Sequence, residues 1–190
     1  MEITRIILFL GLVLHKAVWE ILKRKNRNPD VQRGALRTPV TRLIKFVKVM
    51  VLLFLIVQTL FLNVLPMSAN NPSLRIAGLA IFFLGLAIAI TARINIGKNW
   101  IDLEDYQVLP KQSLITNGAY HFIRHPIYVG DFLLMVGLEL ALQSWLVLGV
   151  ALLIPVIIRQ ALAEEALLSK VFPQYGEYRA RTNRFIPFVI

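Results

Sequence analysis

The chain contains no cysteine, which excludes disulfides, thiolate metal sites and cysteine nucleophiles at once. It is also short of acid, with 11 Asp and Glu against 21 Lys and Arg and a formal net charge of +10. Charge of either sign occupies only 17% of its 190 positions, whereas 57% are hydrophobic. A soluble domain carries about 25% charged residues, so this balance excludes an ordinary soluble fold and points to an integral membrane protein. A Gly-rich phosphate loop, a Gly-x-Gly-x-x-Gly fingerprint, a His-Glu-x-x-His pair and a Gly-x-Ser-x-Gly elbow are all missing. A nucleotide-like cofactor, if bound, therefore sits outside the usual α/β folds, and no metal site is expected. Nucleic acid is not expected either. Lys and Arg gather beside apolar runs, where they attract anionic membrane lipids and fix orientation, and there is no soluble basic domain.

What the chain does have is apolar runs. A helix needs about 20 mostly apolar residues to cross the hydrocarbon core. Segments 3–22, 43–65, 74–94, 127–142 and 145–162 come near that length, so the expectation is an all-α membrane protein with about five transmembrane helices. The first run is interrupted by His15, Lys16 and Glu20. It has no small-residue cleavage pattern and is followed by Lys23, Arg24 and Lys25, which reads as an uncleaved span. Only Gln143 and Ser144 separate the last two runs, which predicts a tight antiparallel hairpin. Residues 1–190 read as a single membrane domain, with three spans in 1–95 and the chemistry in 96–190.

Orientation follows the basic residues. The connection between the first two spans, with its flanks, holds Lys23, Arg24, Lys25, Arg27, Arg33, Arg37, Arg42, Lys45 and Lys48 against a lone Asp30, so it is expected in the cytosol. Residues 66–73 carry no charge and are rich in Pro, Asn and Ser, as in an outer turn. The next span returns Arg93, Lys98 and His125 to the cytosolic side, and the hairpin returns Lys170, Arg179, Arg181 and Arg184. Gly78 and Gly85 are seven apart, as are Gly130 and Gly137; seven residues bring a helix almost back to one face, giving flat strips for close helix approach. Pro155 should kink the fifth span, and Pro173 should end or redirect the helix that follows.

Two stretches carry chemical potential. In residues 114–130, Tyr120, Arg124, His125 and Tyr128 place a cation, a titratable ring and two phenols where polar sequence meets apolar sequence. Some 35 residues on, Arg159, Glu164 and Glu165 precede Phe172, Tyr175 and Tyr178. The hairpin between them should bring the two stretches together at one membrane face. Adjacent acids beside an anionic membrane are unfavourable unless they bind something cationic. Asp131 and Glu139 read as interfacial, near the two ends of the fourth span, and His15 and His121 as interfacial or structural, without chemical company.

At these clusters the sequence resembles the isoprenylcysteine carboxyl methyltransferase and phospholipid methyltransferase group of membrane enzymes. The resemblance rests on Leu114-Ile-Thr-Asn-Gly118-Ala-Tyr120, Arg124-His-Pro-Ile-Tyr128-Val-Gly130, Glu164-Glu165 with Leu168 and Phe172, and Tyr175, Tyr178 and Arg184-Phe-Ile-Pro187, preceded by a Gly97-Lys-Asn-Trp100 patch. It implies S-adenosylmethionine as cofactor and a lipophilic methyl acceptor entering from the bilayer, with the active site and a C-terminal helix on the cytosolic face. By the same resemblance Gln112, Ser113, Leu114 and Ile115 line the cofactor pocket and Tyr120 packs on the cofactor. His125, Pro126, Ile127 and Tyr128 hold its polar end, and Glu164 binds an amino or hydroxyl group. Arg159 and Glu165 are the implied catalytic residues. The leading acceptor is the carboxylate of a prenylated cysteine, with a phospholipid amine or small thiol as alternative. One departure stands out: the family's Arg, one turn before the first Glu, is replaced here by Gln160, with Arg159 one position earlier. Rivals of other classes are a small transporter using Asp131, Glu139 and Arg159 as a polar path, and a nicotinamide-dependent reductase of similar topology.

Overall fold

The structure, a computed structural model, describes residues 2–26, 39–68, 70–100 and 112–187. Arg27, Arg33 and Arg37, and the Asp30 among them, lie outside them. The described residues form seven α-helices and no strand: α1 (Ile3–Lys25), α2 (Pro39–Phe61), α3 (Pro72–Ile96), α4 (Pro126–Ala141), α5 (Leu146–Ala151), α6 (Ile154–Val171) and α7 (Tyr175–Arg181). Short 3-10 turns at Gly97–Asn99 and Gly118–His121 flank the connection from α3 to α4.

Three stretches are long and apolar enough to cross a membrane: Arg42–Phe61, Pro72–Asn99 and Leu146–Val171. The other two expected spans are helical but do not reach that standard. α1 carries His15, Lys16 and Glu20 along its length, and α4 has only 16 residues. The third stretch is not one smooth helix. A turn at Leu152 and Leu153 separates α5 from α6, with Pro155 in the first turn of α6, where its missing N–H costs least. The proline thus marks a break in the span, just before itself, where a kink was expected. Pro173 follows the end of α6 and precedes α7, as its inability to continue a helix requires.

The centre of the fold is the contact between α3 and α4, and its cause is visible in the sequence. Gly78 and Gly85 on α3 meet Gly130 and Gly137 on α4 so closely that an added Cβ on any of them would strike backbone of the opposite helix. Around this contact Leu8 and Leu12 of α1 join Phe82, Leu86, Leu134 and Leu138 in the largest buried cluster. At one end, the turn after α2 meets the turn after α4: Met67 N donates to Gln143 O (2.7 Å), Trp145 N to Leu65 O (2.9 Å) and Ser144 Oγ to Val64 O (2.8 Å). The uncharged turn and the hairpin tip therefore share a face, as the topology demands. Beside it Gln58 donates from Nε2 to a fully buried Glu139 at 2.8 Å, so Glu139 is not merely interfacial; it ties α2 to α4.

Candidate active site

At the opposite end the chain closes on itself. The backbone N–H groups of Arg124 and His125 donate to the carbonyls of Asn183 and Arg184 at 2.9 and 3.2 Å, so the segment after α7 lies along the entry to α4. Glu165 holds this junction. It is buried and accepts from Arg124 Nε (3.0 Å), from Arg184 Nε and Nη2 (2.9 and 3.1 Å), and lies 3.2 Å from His125 Nε2. Arg124 also donates through Nη1 to the carbonyls of Arg179 (3.2 Å) and Thr182. The hydrogen bond from Arg184 to Glu165 raises the pKa of that guanidinium, which therefore stays charged throughout.

Glu164 is one residue, and so about 100°, further round the helix, and its setting is different. Its half-exposed carboxylate accepts from the Tyr128 hydroxyl at 3.0 Å, with His125 Nδ1 at 3.7 Å. The His125 and Tyr128 rings stack, with centroids 5.3 Å apart and planes 8° from parallel. Pro126 sets the start of α4, and its fixed φ favours the turn that carries both rings.

Above these groups is a cleft with about 1100 Å³ of empty space, counting the part open to solvent. The α3 end builds one wall. Asn99 Oδ1 accepts from Ser113 N (2.8 Å), Gln112 Nε2 donates to Asn99 O (3.2 Å), and Asn95 Oδ1 accepts from Ala119 N (3.0 Å). Gly118 sits beside that Asn95 at φ +61°, a left-handed conformation that glycine adopts without strain. The opposite wall comes from α6 and α7, with Leu167, Leu168, Phe172, Tyr175 and Tyr178. Burial raises the pKa of the Tyr120 and Tyr175 phenols and pushes Tyr178 up to about 12. These hydroxyls stay protonated near neutrality and act as donors; Tyr178 donates to the Tyr120 carbonyl at 2.8 Å. The Tyr175 hydroxyl, on a residue 1% exposed at the cleft wall, has no partner among the described residues.

Of the residues expected at a cofactor site, Gln112, Ser113, Leu114, Ile115, Tyr120, His125, Ile127, Tyr128 and Glu164 line this cleft. Pro126 is buried and is not among the lining residues. The two residues expected to be catalytic lie elsewhere: Glu165 is committed to the buried ion cluster, and Arg159 is exposed while Gln160 lines the cleft. Replacing Arg159 by Ala is accordingly expected to change ligand binding in the cleft by less than about twofold, as for an isolated surface position, measured by calorimetry. Sequence reasoning missed Asn95 and Asn99 as loop anchors and Tyr175 as an unpaired donor. The Asn-Gly pair at 117–118 and the Gly97 patch were the available signals.

An all-helical membrane fold with an amphipathic cleft at one end of the helix bundle matches a known group. The phospholipid methyltransferase family matches residues 74–175, more than half of the chain, and the chain belongs to that family. The nickel-cobalt-cadmium resistance protein NccN of Alcaligenes xylosoxydans xylosoxydans is 34% identical over 116 residues, 57% of this chain and 49% of that one. Protein-S-isoprenylcysteine O-methyltransferase of Tribolium castaneum is 30% identical over 115 residues, 59% of this chain and 41% of that one. The matched region thus spans about half of these curated relatives or less. The solved structure of a eukaryotic intramembrane Ras methyltransferase, isoprenylcysteine carboxyl methyltransferase, superposes with a TM-score of 0.62 at 22% identity, covering all of this chain and 69% of that one. The shared fold agrees with the helix arrangement described above.

Proposed function

We propose that this protein is an S-adenosylmethionine-dependent methyltransferase of the membrane, acting on a lipophilic acceptor. Its cleft would face the cytosol, with α1 and α4 lying in the bilayer beside the three longer spans and α7 at the membrane surface. The observation that carries the reading is the pairing, in one cleft, of a half-exposed Glu164 with a buried Tyr175 hydroxyl that has no partner among the described residues, between aromatic and aliphatic walls. S-adenosylmethionine presents a sulfonium, an ammonium, ribose hydroxyls and a flat base, so the residues present fit it. Glu164, aimed by Tyr128 and His125, would take the ammonium or a ribose hydroxyl. Tyr175 would donate to a polar atom, and Tyr120, Ile115 and Leu168 would pack the base. The bound cofactor supplies an electrophilic methyl group. The protein's part is to orient the acceptor in line with it and to exclude water.

The names of the isoprenylcysteine relatives offer the carboxylate of a prenylated cysteine as acceptor. Such an acceptor needs a cation. Among the described residues lining the cleft the one guanidinium is that of Arg124, which Glu165 and two carbonyls already engage.

Calorimetric titration of the folded, detergent-solubilised protein with S-adenosylhomocysteine should show saturable binding. Glu164→Ala should weaken it about 10- to 100-fold, the loss of a hydrogen bond to a charged group worth about 1.5–3 kcal/mol. No binding at millimolar ligand, in protein whose melting transition is intact, would sink the reading.

A further inference from the structure

His15 and Asp131 stand 116 positions apart in sequence, yet His15 Nε2 lies 3.0 Å from Asp131 Oδ1. Asp131 sits on α4 three and four residues beyond Tyr128 and Ile127, which line the cleft. At 1.5 Å per residue this places it about 5 Å further along the helix, toward the bundle interior. His15 is fixed from the other side. Its ring stacks on Trp19 at 4.1 Å, and Trp19 meets the edge of Trp100, another cleft residue, at 6.2 Å. The pair stands just behind the residues that line the cleft, joined to them by Trp19 of α1 against Trp100 and by one turn of α4. It is also accessible, with side chains 23% and 39% exposed. The neighbouring charges on α1, Lys16 and Glu20, pair with each other at 2.8 Å.

A carboxylate is an acceptor only, so in the neutral pair the imidazole N–H is at Nε2 and the lone pair is at Nδ1. A His whose tautomer and ring plane are fixed by a carboxylate and a stacked indole is equipped to take a proton. A carboxylate acceptor would have no proton to give. An alkylammonium would have to leave water for the bilayer, the route of a lipophilic acceptor, as a charged group, at high cost. A neutral thiol with an alkyl or prenyl tail enters the bilayer without that cost and carries the proton that the pair can remove.

Resting on the methyl-transfer reading above, we propose that His15 and Asp131 form the proton-accepting pair for a lipophilic thiol acceptor. The acceptor sulfur forms the new S–CH3 bond as the methyl–sulfonium bond breaks, its electron pair remaining on the departing thioether. The thiol proton passes to His15 Nδ1, Asp131 balances the imidazolium, and the proton then leaves to water.

The test uses the full chain in detergent or nanodiscs with S-adenosylmethionine and three probes: a long-chain alkanethiol, the matching alkylamine, and an N-acylated S-prenylcysteine. The thiol should be the preferred acceptor. His15→Gln, which can still donate to Asp131, should lower kcat on the thiol about 100-fold near neutral pH. S-adenosylhomocysteine binding should stay within twofold, and the defect should shrink as pH approaches the thiol's own pKa. Nitrogen-15 spectra of histidine-labelled protein should show the Nε2-protonated tautomer in the wild type, with the Nε2 resonance shifting in Asp131→Ala as its hydrogen-bond acceptor is lost. Wild-type turnover in His15→Gln, a defect equal at every pH, or preference for the amine or the prenylcysteine carboxylate would overturn the proposal. Turnover of none of the probes by a protein that binds S-adenosylhomocysteine would overturn it too, leaving the methyltransferase reading standing; absence of that binding would remove both.

Discussion

Replacing Glu165 by Ala is expected to destabilise the protein by about 3–5 kcal/mol, the range for breaking a buried ion pair and leaving its partners uncompensated. Here the consequence is multiplied, because one carboxylate serves Arg124 and Arg184 and touches His125. With the carboxylate gone, two guanidinium groups face each other across a buried junction. The segment after α7 would lose its anchor to α6, and with it the entry to α4 that carries His125 and Tyr128. The measurement is a thermal melt in mild detergent followed through intrinsic Trp fluorescence. Glu165→Gln, which retains acceptor capacity at one oxygen, should lie between Ala and wild type. A Glu165→Ala protein that melts like wild type and has lost only turnover would instead assign Glu165 a direct catalytic role.

That contrast shows where sequence reasoning reached its limit. The hairpin argument alone placed residues 124–128 against residues 164–165, and the structure brings them within hydrogen-bonding distance. What one-dimensional reading could not resolve was helix phase. Adjacent acids point about 100° apart, so the cleft receives Glu164 and the ion cluster receives Glu165, and the same rotation lines the cleft with Gln160 and leaves Arg159 outside. The partner of His15 was illegible for another reason: nothing local to residue 15 indicates a carboxylate at 131, since the pair exists only because α1 packs on α3, the helix that α4 also packs against. The span count was read from hydropathy, which registers α1 and α4 as apolar runs but cannot say how a 16-residue helix sits in a bilayer.

The most legible feature was the glycine spacing, and it yields the other large effect. Gly137→Leu is expected to abolish stable association of α3 with α4. A Cβ built on Gly137 lies 2.6 Å from Phe82 Cα and 2.7 Å from the Gly78 carbonyl oxygen, and one built on Gly78 lies 2.8 Å from Ala141 Cα. These obstacles are backbone atoms, which cannot rotate away as a flexible side chain would, so the whole helix must retreat. Overpacking a well-fitted contact costs about 1–3 kcal/mol or more. In a bilayer, van der Waals contact is a principal force between helices, so retreat also forfeits the attraction that assembled them. Gly149 supplies the control: among the described residues nothing lies within 4 Å of a Cβ added there, so Gly149→Leu should melt at or above the wild-type temperature, with the gain of up to about 1 kcal/mol that follows from removing a helical glycine. Loss of the folded state in Gly137→Leu alone would tie stability to the α3–α4 contact. Because α4 presents Tyr128 to Glu164, S-adenosylhomocysteine binding should disappear with it, whereas equal melting of the two variants would mean that α3 and α4 do not approach this closely.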